Sequence, residues 1–146
     1  MQLVKFAPEH VREAAEIERL CFSDPWSEAS LMMLAEDGYG TGIACVDDGK
    51  LVAYAGMVTV LDEGEIVNVA THPDHRRRGY ARAVIDEVLK LARERGVTML
   101  TLEVRESNAA ARALYESAGF LAVGIRAGFY SHPREDAVIM TRTEEV

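Results

Sequence analysis

Two cysteines, four prolines and one tryptophan in 146 residues leave little from which to build a cross-linked or fibrous protein. Cys21 and Cys45 lie far apart, and neither has a second cysteine or a histidine at ligand spacing. A disulfide scaffold and a structural zinc site are therefore excluded, and both thiols are expected to be reduced core residues. Basic residues are also scarce, 16 lysines and arginines against 24 acids, for a formal net charge of −8. A general nucleic-acid binder needs a broad basic face, so direct nucleic-acid binding is not expected, whereas an acidic surface favours a cationic partner. No apolar run approaches the length of a membrane span, and no basic-then-apolar signal pattern opens the chain, so the expectation is a cytoplasmic protein with no membrane role. The length suits one domain, residues 1–146, with a core of its own.

What is present concentrates in one stretch. Glu65-Ile66-Val67-Asn68-Val69-Ala70-Thr71 is β-branched and apolar with no breaker before Pro73, as in a short buried strand. From Ala81 the apolar residues fall at Ala81, Val84, Ile85, Val88, Leu89 and Ala92, the spacing of a helix with one buried face, and Gly96 closes it. Between the two, Arg76-Arg77-Arg78-Gly79-Tyr80-Ala81 brings three cations and two small residues to the helix start. Unpaired N–H groups and the positive end of the helix dipole meet there, so the loop is either a phosphate cradle or an ordinary turn with solvated arginines. Gly79 removes a side chain that would block a ligand's approach. His72, Asp74 and His75 lack a fourth ligand nearby and read as solvated loop residues, with no metal expected.

In chain order, Leu3 to Phe6 predicts a first strand, and Pro8 opens a helix whose apolar face is Val11, Ala14, Ala15, Ile17, Leu20 and Cys21. Ser27 caps a second helix through Leu31, Met32 and Leu34, ended by Asp37-Gly38-Tyr39-Gly40. Thr41 to Val46 and Leu51 to Leu61 predict antiparallel strands joined at Asp47-Asp48-Gly49-Lys50, with Gly56 marking a bulge or bend. Asp62-Glu63-Gly64 turns the chain into the central strand. After Gly96 come a strand over 98–104, a helix from Asn108 to Ser117, and two strands over 120–127 and 137–143, with Gly128 to Asp136 as a loop between them. An α+β sheet with helices on both faces follows.

The pattern Arg-x-x-Gly-x-Ala after a strand resembles the acetyl-CoA pyrophosphate loop of the GNAT acetyltransferase superfamily. Leu102-Glu103-Val104-Arg105-Glu106-Ser107-Asn108-Ala109-Ala110-Ala111 and Ala113-Leu114-Tyr115-Glu116-Ser117-Ala118-Gly119-Phe120 resemble one branch of it, the bacterial ribosomal-protein-alanine N-acetyltransferases, as do Pro25-Trp26-Ser27-Glu28 and the tail from Tyr130 to Met140 through Glu135-Asp136-Ala137. Two departures stand out. Ala81 occupies a position where the family more often has glycine, and Ser131-His132-Pro133-Arg134 replaces the usual Tyr-Pro continuation. The resemblance implies a GNAT-like mixed, mostly antiparallel central sheet, splayed between two parallel strands.

It also implies roles. Acetyl transfer from a thioester to an amine needs a neutral amine, a stabilised oxyanion and an acid for the departing thiolate. Glu103, by its own pattern either a sheet-end charge or a base facing a cleft, takes the proton-accepting role in the family, through a water. Tyr115, by periodicity a buried ring with its hydroxyl at the surface, is the family's proton donor to the CoA thiolate. Asn108 is by position a helix N-cap and by resemblance a contact to acetyl-CoA. The backbone of Val69, Ala70 and Thr71 is implied to hold pantetheine in the manner of an added strand and to polarise the thioester carbonyl. Arg77, Arg78, Gly79, Tyr80, Ala81 and Arg82 are the implied pyrophosphate contacts. Trp26 and Tyr130 are either packing residues or walls of the acceptor cleft.

The resulting expectation is an enzyme that moves an acetyl group from acetyl-CoA, in a ternary complex, to the N-terminal alanine of a small-subunit ribosomal protein presenting a basic N-terminal segment. Glu36, Asp37, Asp62, Glu63 and Glu65 are either solvated surface or an attraction for such a peptide. A small amine or lysine side chain as acceptor, and a non-catalytic CoA-binding sensor, are the alternatives. An α-amine with a pKa of about 7.7–8.0 is roughly a tenth neutral at pH 7, far more than a lysine, so one carboxylate suffices more readily for a protein N-terminus.

Overall fold

Alternation of β-branched runs with periodic apolar segments folds into a seven-stranded sheet flanked by four helices. The computed structural model describes residues 1–144 apart from Asp37 and Tyr39, so the expected helix stop at those two positions lies outside the described residues. Strand β1 (Gln2–Lys5) leads through a 3-10 turn at Pro8–His10 to α1 (Val11–Cys21) and α2 (Glu28–Ala35). Strands β2 (Gly40–Asp47), β3 (Lys50–Val60) and β4 (Glu63–Thr71) then form a meander. Helix α3 (Tyr80–Glu94), β5 (Met99–Arg105), α4 (Ala109–Ser117), β6 (Leu121–Ser131) and β7 (Arg134–Thr143) complete the chain. The strand order is β1-β2-β3-β4-β5-β7-β6, antiparallel everywhere except between β4 and β5.

The periodicities hold with local exceptions. Val84, Ile85, Val88, Leu89 and Ala92 of α3 are buried against the sheet, each large side chain contributing about 1.5–3 kcal/mol. In α1, Val11, Ala14, Ala15 and Ile17 are buried, but Leu20 is exposed and Glu18 is buried beside them instead. Ser27 caps α2 by accepting from the Ser30 N–H, and the β2–β3 hairpin turns on two positive-φ residues, Asp48 and Gly49, as an Asp-Gly pair favours. Cys45 is buried as expected. Cys21 is not a core residue: it is half-buried, and its thiol donates to the Thr71 carbonyl at 3.3 Å.

Two expectations are corrected. Gly128 to Asp136 is not a loop. Strands β6 and β7 run on to Ser131 and Arg134, joined at the cis His132–Pro133 peptide. Gly128, at positive φ with its N–H donating to Asp136 Oδ1 at 2.9 Å, sits in a register irregularity that absorbs the glycine without ending the strand. The irregularity anticipated at Gly56 is present, but the extra residue belongs to β4: Gly56 pairs with Asn68 and Met57 with Ile66, leaving Val67 unmatched. Gly56 is there for another reason, since a Cβ would come within 2.4 Å of a Leu34 methyl.

This bulge reverses which face each following β4 side chain takes. Ile66 joins the α3 side, whereas Asn68 reaches Glu18 on α1. Beyond it the sheet opens. The β4–β5 register comprises Glu63 with Met99, Gly64 with Leu100 and Glu65 with Thr101, and stops there although both strands continue.

Candidate active site

The parting of β4 and β5 leaves a cavity of about 680 Å³ lined by both strands, the C-terminal end of α1 and its following loop, α4 and the tip of the β6–β7 hairpin. Backbone polar groups of an antiparallel strand point alternately to its two neighbours. His72 N–H donates to Val52 of β3 at 2.8 Å, so Ala70 also spends its groups on β3, while those of Val69 and Thr71 face the opening. The Thr71 carbonyl already accepts from Cys21. Of the predicted trio, Val69 is the member that lines the cavity.

The loop from Pro73 to Ala81 keeps its arginines outward. Arg76, Arg77 and Arg78 are exposed, and Arg77 and Gly79 both adopt positive φ, 66° and 80°. A Cβ at Gly79 would meet nothing within 4 Å, so the glycine answers first to its left-handed backbone. Helix α3 begins with no side-chain cap and no acidic residue in its first turn, leaving its amides free of protein carboxylates. Tyr80 and Arg82, both anticipated as cofactor contacts, direct their side chains elsewhere. Tyr80 is buried and its hydroxyl donates to Asp47, and Arg82 reaches Asp86 at 2.9 Å and Ser117 at 2.7 Å. Ala81 is half-buried on the first turn of α3. His72 and Asp74 serve the turn itself, Asp74 N–H donating to His72 Nδ1 at 3.1 Å.

Glu103 and Tyr115 approach the opening from opposite faces of the sheet. On β5 the residues Leu100, Leu102 and Val104 point into the α3–α4 core, so Glu103 points to the α1 side, with its side chain 12 % exposed and Arg126 at 3.5 Å. Tyr115 belongs to that α3–α4 core, its ring 6.0 Å from Phe120. Burial, and secondarily the neighbouring Tyr130, push its phenol well above the usual range, so it stays protonated. Asn108 caps α4, its Oδ1 accepting from Ala111 N–H at 3.1 Å, and also borders the cavity. Trp26 and Tyr130 line the cavity as well. Tyr130 lies under the Arg105 guanidinium at 4.4 Å, and Arg105 is held by Glu135 at 3.1 Å and by the Pro133 carbonyl at 3.0 Å.

Residues 11–120 match the acetyltransferase (GNAT) family. The chain belongs to the GNAT acetyltransferase family. It is 41% identical over 129 residues, 87% of this chain and 86% of the relative, to the [ribosomal protein bS18]-alanine N-acetyltransferase of Escherichia coli strain K12. It is 36% identical over 128 residues, 86% of both chains, to the enzyme so named from Haemophilus influenzae. Among solved structures, the ribosomal-protein-S18-alanine N-acetyltransferase from Escherichia coli superimposes with a TM-score of 0.91 at 35% identity, covering 99% of this chain and 94% of that one. Arabidopsis thaliana NAA60 in complex with acetyl-CoA shares the fold, TM-score 0.89, at 21% identity over 97% of each chain. The protein is therefore an acetyl-CoA-dependent GNAT N-acetyltransferase.

Residues that periodicity passed over also border the cavity. Glu18, 1 % exposed, accepts from the Tyr54 hydroxyl, from Trp26 N–H at 2.9 Å and from Asn68 Nδ2 at 3.3 Å. Its signal was a carboxylate at a helical core position, seven residues after Val11 and four after Ala14. Asn68 Oδ1 is buried without a hydrogen-bond partner. Across the mouth, His132 Nδ1 and Asp24 Oδ1 meet at 3.1 Å, joining the α1–α2 loop to the hairpin tip. Glu65, expected as either solvated surface or an attraction for a basic peptide, lines the cavity with Glu103, and burial followed by that neighbour raises its carboxyl above the ordinary range. Of the other acids in that group, Glu36 and Glu63 are exposed, Asp62 accepts from the Thr98 hydroxyl at 3.2 Å, and none of the three lines the cavity.

Proposed function

We propose that this enzyme acetylates the N-terminal α-amine of a ribosomal protein beginning with alanine, of the bS18 kind named for its relatives. The observation that carries the reading is the opening between β4 and β5, with a carboxylate entering from one face and a buried phenol from the other. Acetyl-CoA, the donor, supplies an activated thioester. Arg77, Arg78 and the uncapped amides from Gly79 to Ala81 suit its pyrophosphate; Asn108 borders the cavity, and Arg82 lies on the first turn of α3 with its side chain on Asp86 and Ser117. Val69, with Ala70 and Thr71 continuing its strand, suits the pantetheine arm, and its position on the cavity supports a role for its N–H in polarising the carbonyl.

In a ternary complex, Glu103 accepts a proton from the acceptor nitrogen, through a water, as that nitrogen forms its bond to the acetyl carbon. Tyr115 donates a proton to the departing sulfur and regains one from solvent. Burial suits Tyr115 to the donor role because it keeps the phenol neutral. The acceptor N-terminus enters between Trp26 and Tyr130, from the side that Glu103 faces. A basic segment following the alanine fits the acidic surface.

Acetylation of a basic peptide beginning with alanine tests this. Glu103→Gln and Tyr115→Phe should each lower kcat by more than about tenfold, and rates near wild type refute the roles. Preference for the N-blocked peptide with an internal lysine, or for a polyamine, refutes the α-amine acceptor.

A further inference from the structure

One contact crosses the entrance to the cavity. Asp24, in the loop between α1 and α2, and His132, at the tip of the β6–β7 hairpin, both line the cavity, and the imidazole Nδ1 lies 3.1 and 3.2 Å from the two carboxylate oxygens. Trp26 follows closely on Asp24 and Tyr130 closely precedes His132, so the pair joins the two walls between which the acceptor enters. Neither wall needs this contact to hold its place. The Trp26 N–H is fixed on Glu18 at 2.9 Å, and Arg105 holds the hairpin tip through the Pro133 carbonyl at 3.0 Å and the Glu135 carboxylate at 3.1 Å. Asp24 and His132 keep 62 % and 72 % of their side chains exposed, and a pair so placed contributes little and parts readily. The other carboxylates of the cavity wall are engaged differently. Glu18 is buried under three donors, Glu103 has Arg126 at 3.5 Å, and Glu65 sits in β4 where it still pairs with β5. The hairpin tip is also where Ser131-His132-Pro133-Arg134 departs from the family pattern.

We propose that Asp24 is a specificity-determining residue that takes the side chain of a lysine or arginine close behind the acceptor's first residue, with His132 occupying its carboxylate until the acceptor displaces it. This rests on the acceptor entering between Trp26 and Tyr130. An ammonium or guanidinium brings a permanent charge and several donors, where the imidazole Nδ1 brings a single one. A basic residue therefore replaces the contact that it opens. A neutral residue at the same point opens the contact and puts nothing in its place.

Alanine-initiated peptides that differ only in carrying lysine or glutamine at their second and third positions test this. Wild-type enzyme should favour the lysine peptide by about fivefold in kcat/KM, with the difference lying in KM. Asp24→Asn should bring that ratio below about twofold, and Asp24→Lys should invert it toward a peptide carrying glutamate there. His132→Ala should lower KM for both peptides by about twofold and keep the ratio, because neither then has a contact to open. A ratio that survives Asp24→Asn overturns the proposal, as does one that His132→Ala abolishes. Peptide binding in the dead-end complex with CoA, read by fluorescence anisotropy, involves no acetyl group to move. A lysine preference that depends on Asp24 there, in an enzyme that acetylates no alanine-initiated peptide, refutes the acceptor assignment and upholds the role of Asp24.

Discussion

The Tyr54 hydroxyl of β3 donates to Glu18 Oε2 of α1, tying the strand beside β4 to the helix whose end lines the cavity. The same carboxylate holds the Trp26 N–H and the Asn68 amide. One buried acid thus joins β3, β4 and the loop that carries Trp26.

Removing that acid strands three donors. Glu18→Ala should cost about 2–4 kcal/mol in denaturant unfolding, because a buried group that loses its partner pays its desolvation in full. Glu18→Gln keeps an acceptor oxygen and should lose less. A loss under about 1 kcal/mol for the alanine variant would contradict the network.

Burial raises both Tyr54 and Tyr115 above the ordinary phenol range, with Glu18 adding to the effect on Tyr54 and Tyr130 to that on Tyr115. The neutral forms are favoured in the fold, so this stability is fully present below the unfolded pKa of about 10 and declines as pH rises past it. Tyrosinate absorbance should show these two rings ionising only with unfolding. Tyr115→Phe should flatten the alkaline loss of stability.

Gly79 holds a left-handed backbone with open space at its α-carbon. Gly79→Ala should destabilise by about 1 kcal/mol, from backbone strain alone. Acetyl-CoA affinity, read by calorimetry, should fall more than about fivefold because the amides at the α3 start are displaced. Gly79→Asn, better tolerated at this φ, should lose less of both.

Arg105 stacks on Tyr130 and binds Glu135 and two hairpin-tip carbonyls. Arg105→Lys keeps the charge but not the planar fork, so the acceptor KM should rise by more than about threefold with kcat less affected. Glu135 is held below the ordinary carboxylate range, first by Ser107 and then by Arg105. The order it gives the hairpin is present above the unfolded pKa of about 4.3 and is lost as pH falls through the lower folded value. Tyr130 resonances should broaden in that acid window.

Much of the fold was legible because its signals are local. The α3 stripe, the Asp48-Gly49 hairpin and the Ser27 and Asn108 caps each depend on a few neighbouring residues. The hairpin carrying Phe129 and Tyr130 was misread because Gly128 and Pro133 are turn residues in isolation. A bulge and a cross-strand bond to Asp136 keep Gly128 within the strand. Glu18 escaped because a carboxylate in an apolar stripe reads as an interruption until Tyr54, 36 residues away, supplies the partner.

Residue order by itself determined the element sequence, the uncapped arginine-rich start of α3, and the candidacy of Glu103 and Tyr115 through their resemblance to a known family. Tertiary structure alone decided that β4 and β5 separate after Glu65, that Val67 bulges and redirects Asn68, and that Glu65 and Glu103 line one cavity. The physical reason is that pairing, register and burial join segments tens of residues apart, where no local periodicity extends.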